Sequence, residues 1–307
     1  MNVRAFEWRD LIDLHRCRSQ SVFLDSARVL TKGPLFAPAG ALLSTLAPAT
    51  GLFTALAWDT ETGRPLFGQA SHLAGATAAQ VTFFTPVSAL THSRLVALVE
   101  FLAVSVGERG AMHLVAEAEE HSQVQSLLRQ VGFGIYARQR VWRLDQSDQT
   151  AKPGLWRAAR RSDEAAIRFL YANLVPGLVQ QVEMLPSSHV QGLVYYRGNE
   201  LLAYVDIFSG LNGVYAVPYI HPDAEDSAEQ LVFLLGRMPG WRNLPVFVCV
   251  RSYQSWLEGP LEDLQAQPGQ YQAVMVRRLA VRRMAPALGT VVNGSSAETT
   301  LPVARIQ

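Results

Sequence analysis

The stretch SLLRQVGFGIYARQRVWRL, residues 126–144, decides the fold. A short amphipathic helix runs into Gly132-Phe133, and a strand with alternating polar and apolar positions follows. This is either an incidental helix-to-strand turn or the closing module of a larger unit. What stands before it, and whether the rest of the chain repeats it, separates the two.

Upstream, HSRLVALVEFLAVSVGERG places Leu95, Leu98, Val99, Leu102 and Val106 at helical spacing. The segment AMHLVAEA then reads as a strand and EEHSQVQSLLRQ as a second helix. Before these come strands near Leu52–Trp58, Pro65–His72 and Gln80–Thr85, helical material around DLIDLHRCR, and an opening strand from Val3 to Trp8. The polar stretch DQSDQTAKPG, with Pro153-Gly154 and no apolar period, reads as a linker. Past it the order recurs. GLWRAAR and the helix SDEAAIRFLYANLV are followed by GLVYYRG, the turn Gly198-Asn199, ELLAYVDIF, the turn LNG and VYAVPYI. Then come the helix AEDSAEQLVFLLGRM, the strand PVFVCV, helical SWLEGPLEDLQ and the strand QAVMVRRLAV. Side by side, TFFTP matches VYAVP, MHLVAEA matches VFVCV, and YARQRVWRL matches YQAVMVRRLAV, which points to an internal duplication. The expected division is 1–145, a linker at 146–154, a second unit at 155–284 and a disordered tail at 285–307. The fold class is α/β (α+β), each unit a mixed, mostly antiparallel sheet flanked by helices.

Composition agrees with two medium domains. The 307 residues are 49% hydrophobic and 17% charged, which describes a globular chain with ample core. A net charge of +1 gives no general pull toward nucleic acid or anionic membrane, so neither partner is expected. Arginine outnumbers lysine 25 to 2, a bias read as genomic. Cys17 and Cys249 lie too far apart for a zinc spacing and are expected as reduced thiols, in keeping with a cytoplasmic location. The longest apolar helix candidate, LVALVEFLAVSV, contains Glu100 and is too short to span a bilayer. No HExxH, GxSxG, P-loop or Rossmann pattern occurs, so no metal is expected. The arginines of VRRLAVRR, residues 276–283, are read as solvated on a final strand.

In element order, and in the helix that ends on Gly-Phe before an antiparallel strand, the chain resembles the GNAT (GCN5-related N-acetyltransferase) superfamily, twice in tandem. The resemblance implies acetyl-CoA or another acyl-CoA as co-substrate and a small-molecule or peptide amine as acceptor. In that family the pyrophosphate lies at the start of the central helix, where unpaired N–H groups and the helix dipole favour an anion. The implied cofactor contacts are Phe84, Thr85 and Val87 beside the thioester, and Thr91, His92, Ser93 and Arg94 at the helix start. The family's glycines are missing from this turn, VSALTHSRL. Thr91 or Ser93 has the alternative role of capping the helix. In the second unit the turn IHPDAEDSAEQ carries Asp223, Glu225 and Asp226, which would repel a pyrophosphate.

The strand AMHLVAEA puts His113, Val115 and Glu117 on one face and Met112, Leu114 and Ala116 on the other. His113 and Glu117 are the candidate proton relay, facing either a cleft or solvent. The family's acid tyrosine falls on Leu128 here, which leaves Tyr136 as the nearby candidate or as a plain strand aromatic. Asp206 on the second-unit hairpin is the candidate for acceptor binding. The second unit is expected to complete the acceptor groove or a homodimer surface. The other functional reading is a non-catalytic binding or scaffolding protein on the same fold.

Overall fold

A computed structural model describes residues 2–34, 36–58, 63, 65–144, 156–183, 192–224 and 244–279. The linker, the tail, the second unit's central helix with Glu225 and Asp226, and the last part of VRRLAVRR lie outside them.

In chain order the strands and α-helices of the first half are β1 (Asn2–Ala5), α1 (Leu11–Cys17), β2 (Val22–Phe23), α2 (Ser26–Lys32), α3 (Phe36–Leu46), β3 (Leu52–Trp58), β4 (Pro65–Ser71), β5 (Ala78–Thr85), α4 (His92–Gly107), β6 (His113–Glu119), α5 (Gln123–Gln130) and β7 (Gly134–Leu144). The second half has β8 (Trp156–Ala158), α6 (Glu164–Leu174), α7 (Gly177–Val182), β9 (Gly192–Arg197), β10 (Glu200–Ser209), β11 (Val214–Ile220), β12 (Val246–Arg251) and β13 (Gln267–Arg278), with a short helix at Glu258–Asp263.

The thirteen strands form one sheet in the order β1-β3-β4-β5-β6-β13-β7-β12-β11-β10-β9-β8, with β2 added against β5. Neighbours are antiparallel except β5 with β6 and β11 with β12. The two closing strands are exchanged between the halves. Strand β13 lies beside β6 of the first half, with Val274 opposite Glu117. Strand β7 lies beside β12 of the second, with Gln139 opposite Arg251. The cores record the same exchange. Ala273 and Met275 of β13 complete the first-half core under α4 and α5, while Trp142 and Leu144 of β7 sit in the second-half core. Leu95, Leu98 and Leu102 of α4 are almost fully buried. Each is worth roughly 1.5–3 kcal/mol over an exposed position.

The stretch that decides the fold is a helix stop with a complete hydrogen-bond set. Gly132 takes φ +91°, the left-handed region where a side chain is strained. Its N–H donates to the Arg129 carbonyl at 3.1 Å, and the Phe133 N–H donates to the Leu128 carbonyl at 3.0 Å. That is a Schellman motif, closed by the apolar contact of its first and last residues. Leu128 and Phe133 are both buried in the first-half core. Leu128 therefore stands where an acid tyrosine was sought because the position is a core anchor, on the sheet face opposite Glu117.

The duplication is also visible in a pair of clips that the sequence reading missed. Arg4 grips Asp10 with two bonds of 2.7 Å, and the Glu7 N–H donates to the same carboxylate at 2.9 Å. In the second half Arg157 grips Asp163 at 2.8 and 2.7 Å, with the Arg160 N–H at 2.8 Å. The signal was present as Arg-Ala-x4-Asp in RAFEWRD and RAARRSD. The register also corrects the expected match of TFFTP with VYAVP. Ala78 pairs His113 where β5 meets β6, and Val214 pairs Val246 where β11 meets β12. Counting from there, Phe83-Phe84-Thr85-Pro86 corresponds to Tyr219-Ile220-His221-Pro222, four residues further on.

Candidate active site

In each half the parallel pair holds only at its start. Strands β5 and β6 pair from Ala78↔His113 to Gln80↔Val115 and then part. Strands β11 and β12 pair from Val214↔Val246 to Ala216↔Val248 and then part. The result is two V-shaped clefts that open toward the C-terminal ends of the strands.

The first cleft is filled by the chain itself. Val22 pairs with Phe84 and Phe23 with Phe83. The Leu24 N–H donates to the Thr82 carbonyl at 2.9 Å, and the Leu24 carbonyl accepts from the Glu117 N–H at 3.0 Å. Gln80 Nε2 donates to the same carbonyl at 2.5 Å. Segment 22–24 thus bridges the gap, and α2 starts beyond it with Asp25 capping the Arg28 N–H at 2.9 Å. The second cleft is closed by a side chain. Gln254, fully buried, donates from Nε2 to the Pro218 carbonyl and accepts at Oε1 from the Ile220 N–H, both at 2.9 Å.

The cofactor candidates divide into two groups. Phe84 and Thr85 are buried; the Phe84 backbone is engaged with β2, and the Thr85 hydroxyl donates to the Cys17 carbonyl at 2.7 Å. Val87 is exposed. At the start of α4, Thr91 occupies the N-cap position with extended backbone but makes no side-chain cap bond. Thr91, His92 and Ser93 are exposed, whereas Arg94 is buried. The capping role expected for Thr91 is not performed by its side chain.

The face of β6 that carries His113, Val115 and Glu117 is turned toward the second half, with His113 and Glu117 each half-buried. Helices α6 and α7 of the second half cover it, and Val115 packs with Tyr171, Val179 and Val182. Glu117 is half-buried; its Oε2 accepts from the Ser26 N–H at 2.8 Å. Burial first, and then the Asp25 charge, raise its pKa above the usual carboxylate range. Tyr136 is the extra residue of a β-bulge, since Val274 faces Ala137 while Met275 faces Ile135. Its hydroxyl donates to Glu183 Oε1 at 2.5 Å, and Arg251 Nη2 donates to the same oxygen at 2.7 Å. Burial and the Glu183 carboxylate hold the Tyr136 hydroxyl well above its ordinary pKa, so it keeps its proton. Burial alone would lower the Arg251 guanidinium, but Glu183 beside it holds it up and charged. Tyr171 adds a 2.5 Å bond from its hydroxyl to the Glu183 carbonyl.

The structure therefore brings Glu117 and Tyr136 to one face, with Glu183 and Arg251 of the second half between the flanking helices. His113 stands four residues from Glu117 along β6, about 13 Å away at strand rise. Burial lowers its pKa and keeps the imidazole neutral. Asp206 lies outside this group, buried on β10, where Tyr204 donates to it at 3.3 Å. Burial raises its pKa to about 6. Sequence reasoning missed Glu183, Arg251 and β2. Val22-Phe23 before Asp25-Ser26 was a readable strand-then-cap signal, but nothing local announces that Glu183 meets Arg251. Among the described residues no group of three or more His, Cys, Asp or Glu side chains is placed to hold a metal, and no helix is long and apolar enough to cross a membrane.

Two splayed parallel pairs, each followed on one strand by a helix or helical turn and flanked by antiparallel strands, define the GNAT fold in tandem. Solved structures with that fold superpose on nearly the whole chain. A GCN5-related N-acetyltransferase from Sphaerobacter thermophilus matches 90% of this chain and 95% of its own with a TM-score of 0.58 at 12% identity. A tandem GNAT protein from the clavulanic acid biosynthesis pathway matches 90% of this chain and 98% of its own with a TM-score of 0.51 at 12% identity. No protein-family model matches the sequence, and no curated protein matches it. The likeness is one of fold.

Proposed function

We propose that the protein is a GNAT-type N-acyltransferase that moves an acetyl or longer acyl group from acyl-CoA to an amine, with its site in the first half. The observation that carries this reading is the parting of β5 and β6 beyond Gln80 and Val115, with Glu117 and Tyr136 on the face beside it. In this reading the thioester lies along β5 near Phe84, Thr85 and Val87, where backbone amides polarise its carbonyl. The pyrophosphate lies at the start of α4, among Thr91, His92 and Ser93, with Arg94 behind them. The amine nitrogen attacks the thioester carbon, the C–S bond breaks, and the amine's proton passes to Glu117, whose raised pKa suits a base. Tyr136 is the proton donor assigned to the leaving thiolate, and the proton taken up by Glu117 replaces the one it gives. The chain divides at residues 146–154, and the second half, to about residue 284, completes the acceptor groove. A small-molecule or peptide amine and a cytoplasmic setting go with this chemistry.

A second reading is favoured by the two filled clefts: a GNAT-fold binding protein without catalysis. Calorimetry with acetyl-CoA, and then with longer acyl-CoAs, separates the two. Binding that Ser93→Glu abolishes supports the enzyme; no heat with any acyl-CoA at millimolar concentration supports the binding protein.

A further inference from the structure

The cleft between β5 and β6 holds a two-residue strand that lies off the main strand order. Among the described strands β2 pairs with β5 alone, and Leu24 just after it reaches β6. Its bonds nevertheless use the one free edge of β5 along Thr82, Phe83 and Phe84, since the other edge is paired with β4 through Phe67↔Thr85 and Gly68↔Phe84. A strand edge accepts one extended chain at a time, because each N–H and C=O bonds in the plane of the sheet. The pantetheine arm of a coenzyme A thioester is itself an extended chain with two amide groups. Segment 22–24 and such an arm would claim the same carbonyls and N–H groups.

The second half shows the same edge met from within the chain. There the corresponding carbonyl and N–H, on Pro218 and Ile220, are met by the carboxamide of Gln254. Buried backbone groups must find partners, and in both halves the chain supplies an amide of its own. The anchorage of segment 22–24 is also divided. Leu24 is fully buried, whereas Val22 and Phe23 are half-buried, and the Ser21 hydroxyl just before them is buried with no partner among the described residues. Helix α2 begins on its own cap at Asp25.

We infer that β2 is an autoinhibitory strap that occupies the acyl-CoA edge of β5 and must leave it before the cofactor enters. The inference rests on the acyltransferase reading above. The test uses the full chain and acetyl-CoA as the probe. Val22→Pro removes the N–H that pairs with Phe84 and weakens the strap without touching β5. Acetyl-CoA affinity is measured by calorimetry for both proteins, and Leu24 amide protection by hydrogen exchange with and without acetyl-CoA. The strap predicts at least tenfold tighter binding by Val22→Pro, and loss of Leu24 protection when the wild type is saturated. Equal affinities with Leu24 still protected in the wild-type complex overturn the strap and leave the acyltransferase reading intact. No binding by either protein, with Leu24 exchanging freely in Val22→Pro, overturns the acyltransferase reading and the strap with it. If Val22→Pro does not fold, Phe23→Ala serves in its place with the same outcomes.

Discussion

Tyr136 on the first half's closing strand donates its hydroxyl proton to Glu183 at the end of the second half's α7, 2.5 Å away. A bulge aims the tyrosine, and Arg251 on β12 steadies the acceptor. The three residues come from three elements and form one polar joint on the face shared by the halves. Its members differ in how much they depend on one another. Glu183→Gln leaves a buried guanidinium without a counter-charge and is expected to cost about 2–4 kcal/mol, reduced from the fully buried case because Glu183 retains 24% exposure. Tyr136→Phe leaves the ion pair in place and is expected to cost about 1 kcal/mol. Urea midpoints of the two variants check the order; a larger loss for Tyr136→Phe would mean that the ion pair is not the anchor.

Asp206 gives the fold a pH dependence of unusual sign. Its carboxyl is raised to about 6 by burial, against an ordinary value near 3.9 in the unfolded chain. Between those values the native state binds more protons than the unfolded one, so stability falls as pH rises from about 4 to about 6 and levels off above. Asp206→Asn keeps the shape and removes the ionisation. It is expected to flatten this slope and to raise stability at pH 7 by about 1–3 kcal/mol. Denaturant midpoints from pH 4 to 7.5 for both proteins test it. Parallel curves would mean that Asp206 is ionised and solvated.

The Arg–Asp clips act with the opposite sign. Asp163 is held well below the ordinary range, chiefly by Arg157 and with help from the Arg160 N–H and Tyr196. Asp10 is lowered as well, although burial opposes Arg4 and the Glu7 N–H there. Both carboxylates contribute stability that is fully present above about pH 4 and is lost as pH falls toward their folded pKa values. Asp163→Asn should remove part of this acid-side loss and lower stability at pH 7 by about 1–2 kcal/mol, discounted because Arg157 is 41% exposed. An unchanged acid limb in Asp163→Asn would assign the acid sensitivity elsewhere.

The strands from Leu52 to Thr85, the helix from His92 and the Gly132-Phe133 stop could be read from sequence because periodicity and turn chemistry are local properties. Strand β2 has no period of its own in two residues, and only the cap signal of Asp25-Ser26 after it marked the place. The joint of Tyr136, Glu183 and Arg251 escaped because it depends on which strand lies beside which. YARQRVWRL and QAVMVRRLAV read equally well as the last strand of their own half or of the other. A strand's own pattern fixes which face is buried and leaves its neighbour unspecified. The placement of Tyr136 against Glu183 is thus a consequence of topology, and Leu128 against Phe133 a consequence of local sequence.

Gly132 separates backbone strain from packing. A Cβ added there would meet only the flexible Arg277 side chain, at 3.7 Å, so room is not the constraint. The constraint is φ +91°. Gly132→Ala is expected to cost about 1–2 kcal/mol through the backbone alone. Gly132→Asn, which tolerates the left-handed region better, should recover part of that loss. Thermal midpoints of the two variants provide the comparison, and equal losses would point to a lost contact instead.

The exchange of β7 and β13 makes a stronger claim, that neither half is complete without the other. Strand β13 is bonded to β6 along seven paired positions, Gln272↔Glu119 to Arg278↔His113, and β7 is bonded to β12 along six. A further lock joins the halves, since the Asn212 N–H donates to the Thr31 carbonyl at 2.9 Å. Gly210 allows that approach, because a Cβ there would lie 2.3 Å from the same carbonyl oxygen. A protease site inserted between residues 150 and 151 therefore should not separate the halves once cut. The expected result is a nicked protein that elutes as one species on size exclusion, keeps its thermal midpoint within a few degrees, and comes apart only in denaturant. Fragment 1–150 expressed alone should expose the β6 edge that β13 covers and associate with itself through it. Clean separation of the nicked halves under native conditions, each monomeric and folded, would contradict the exchanged pairing.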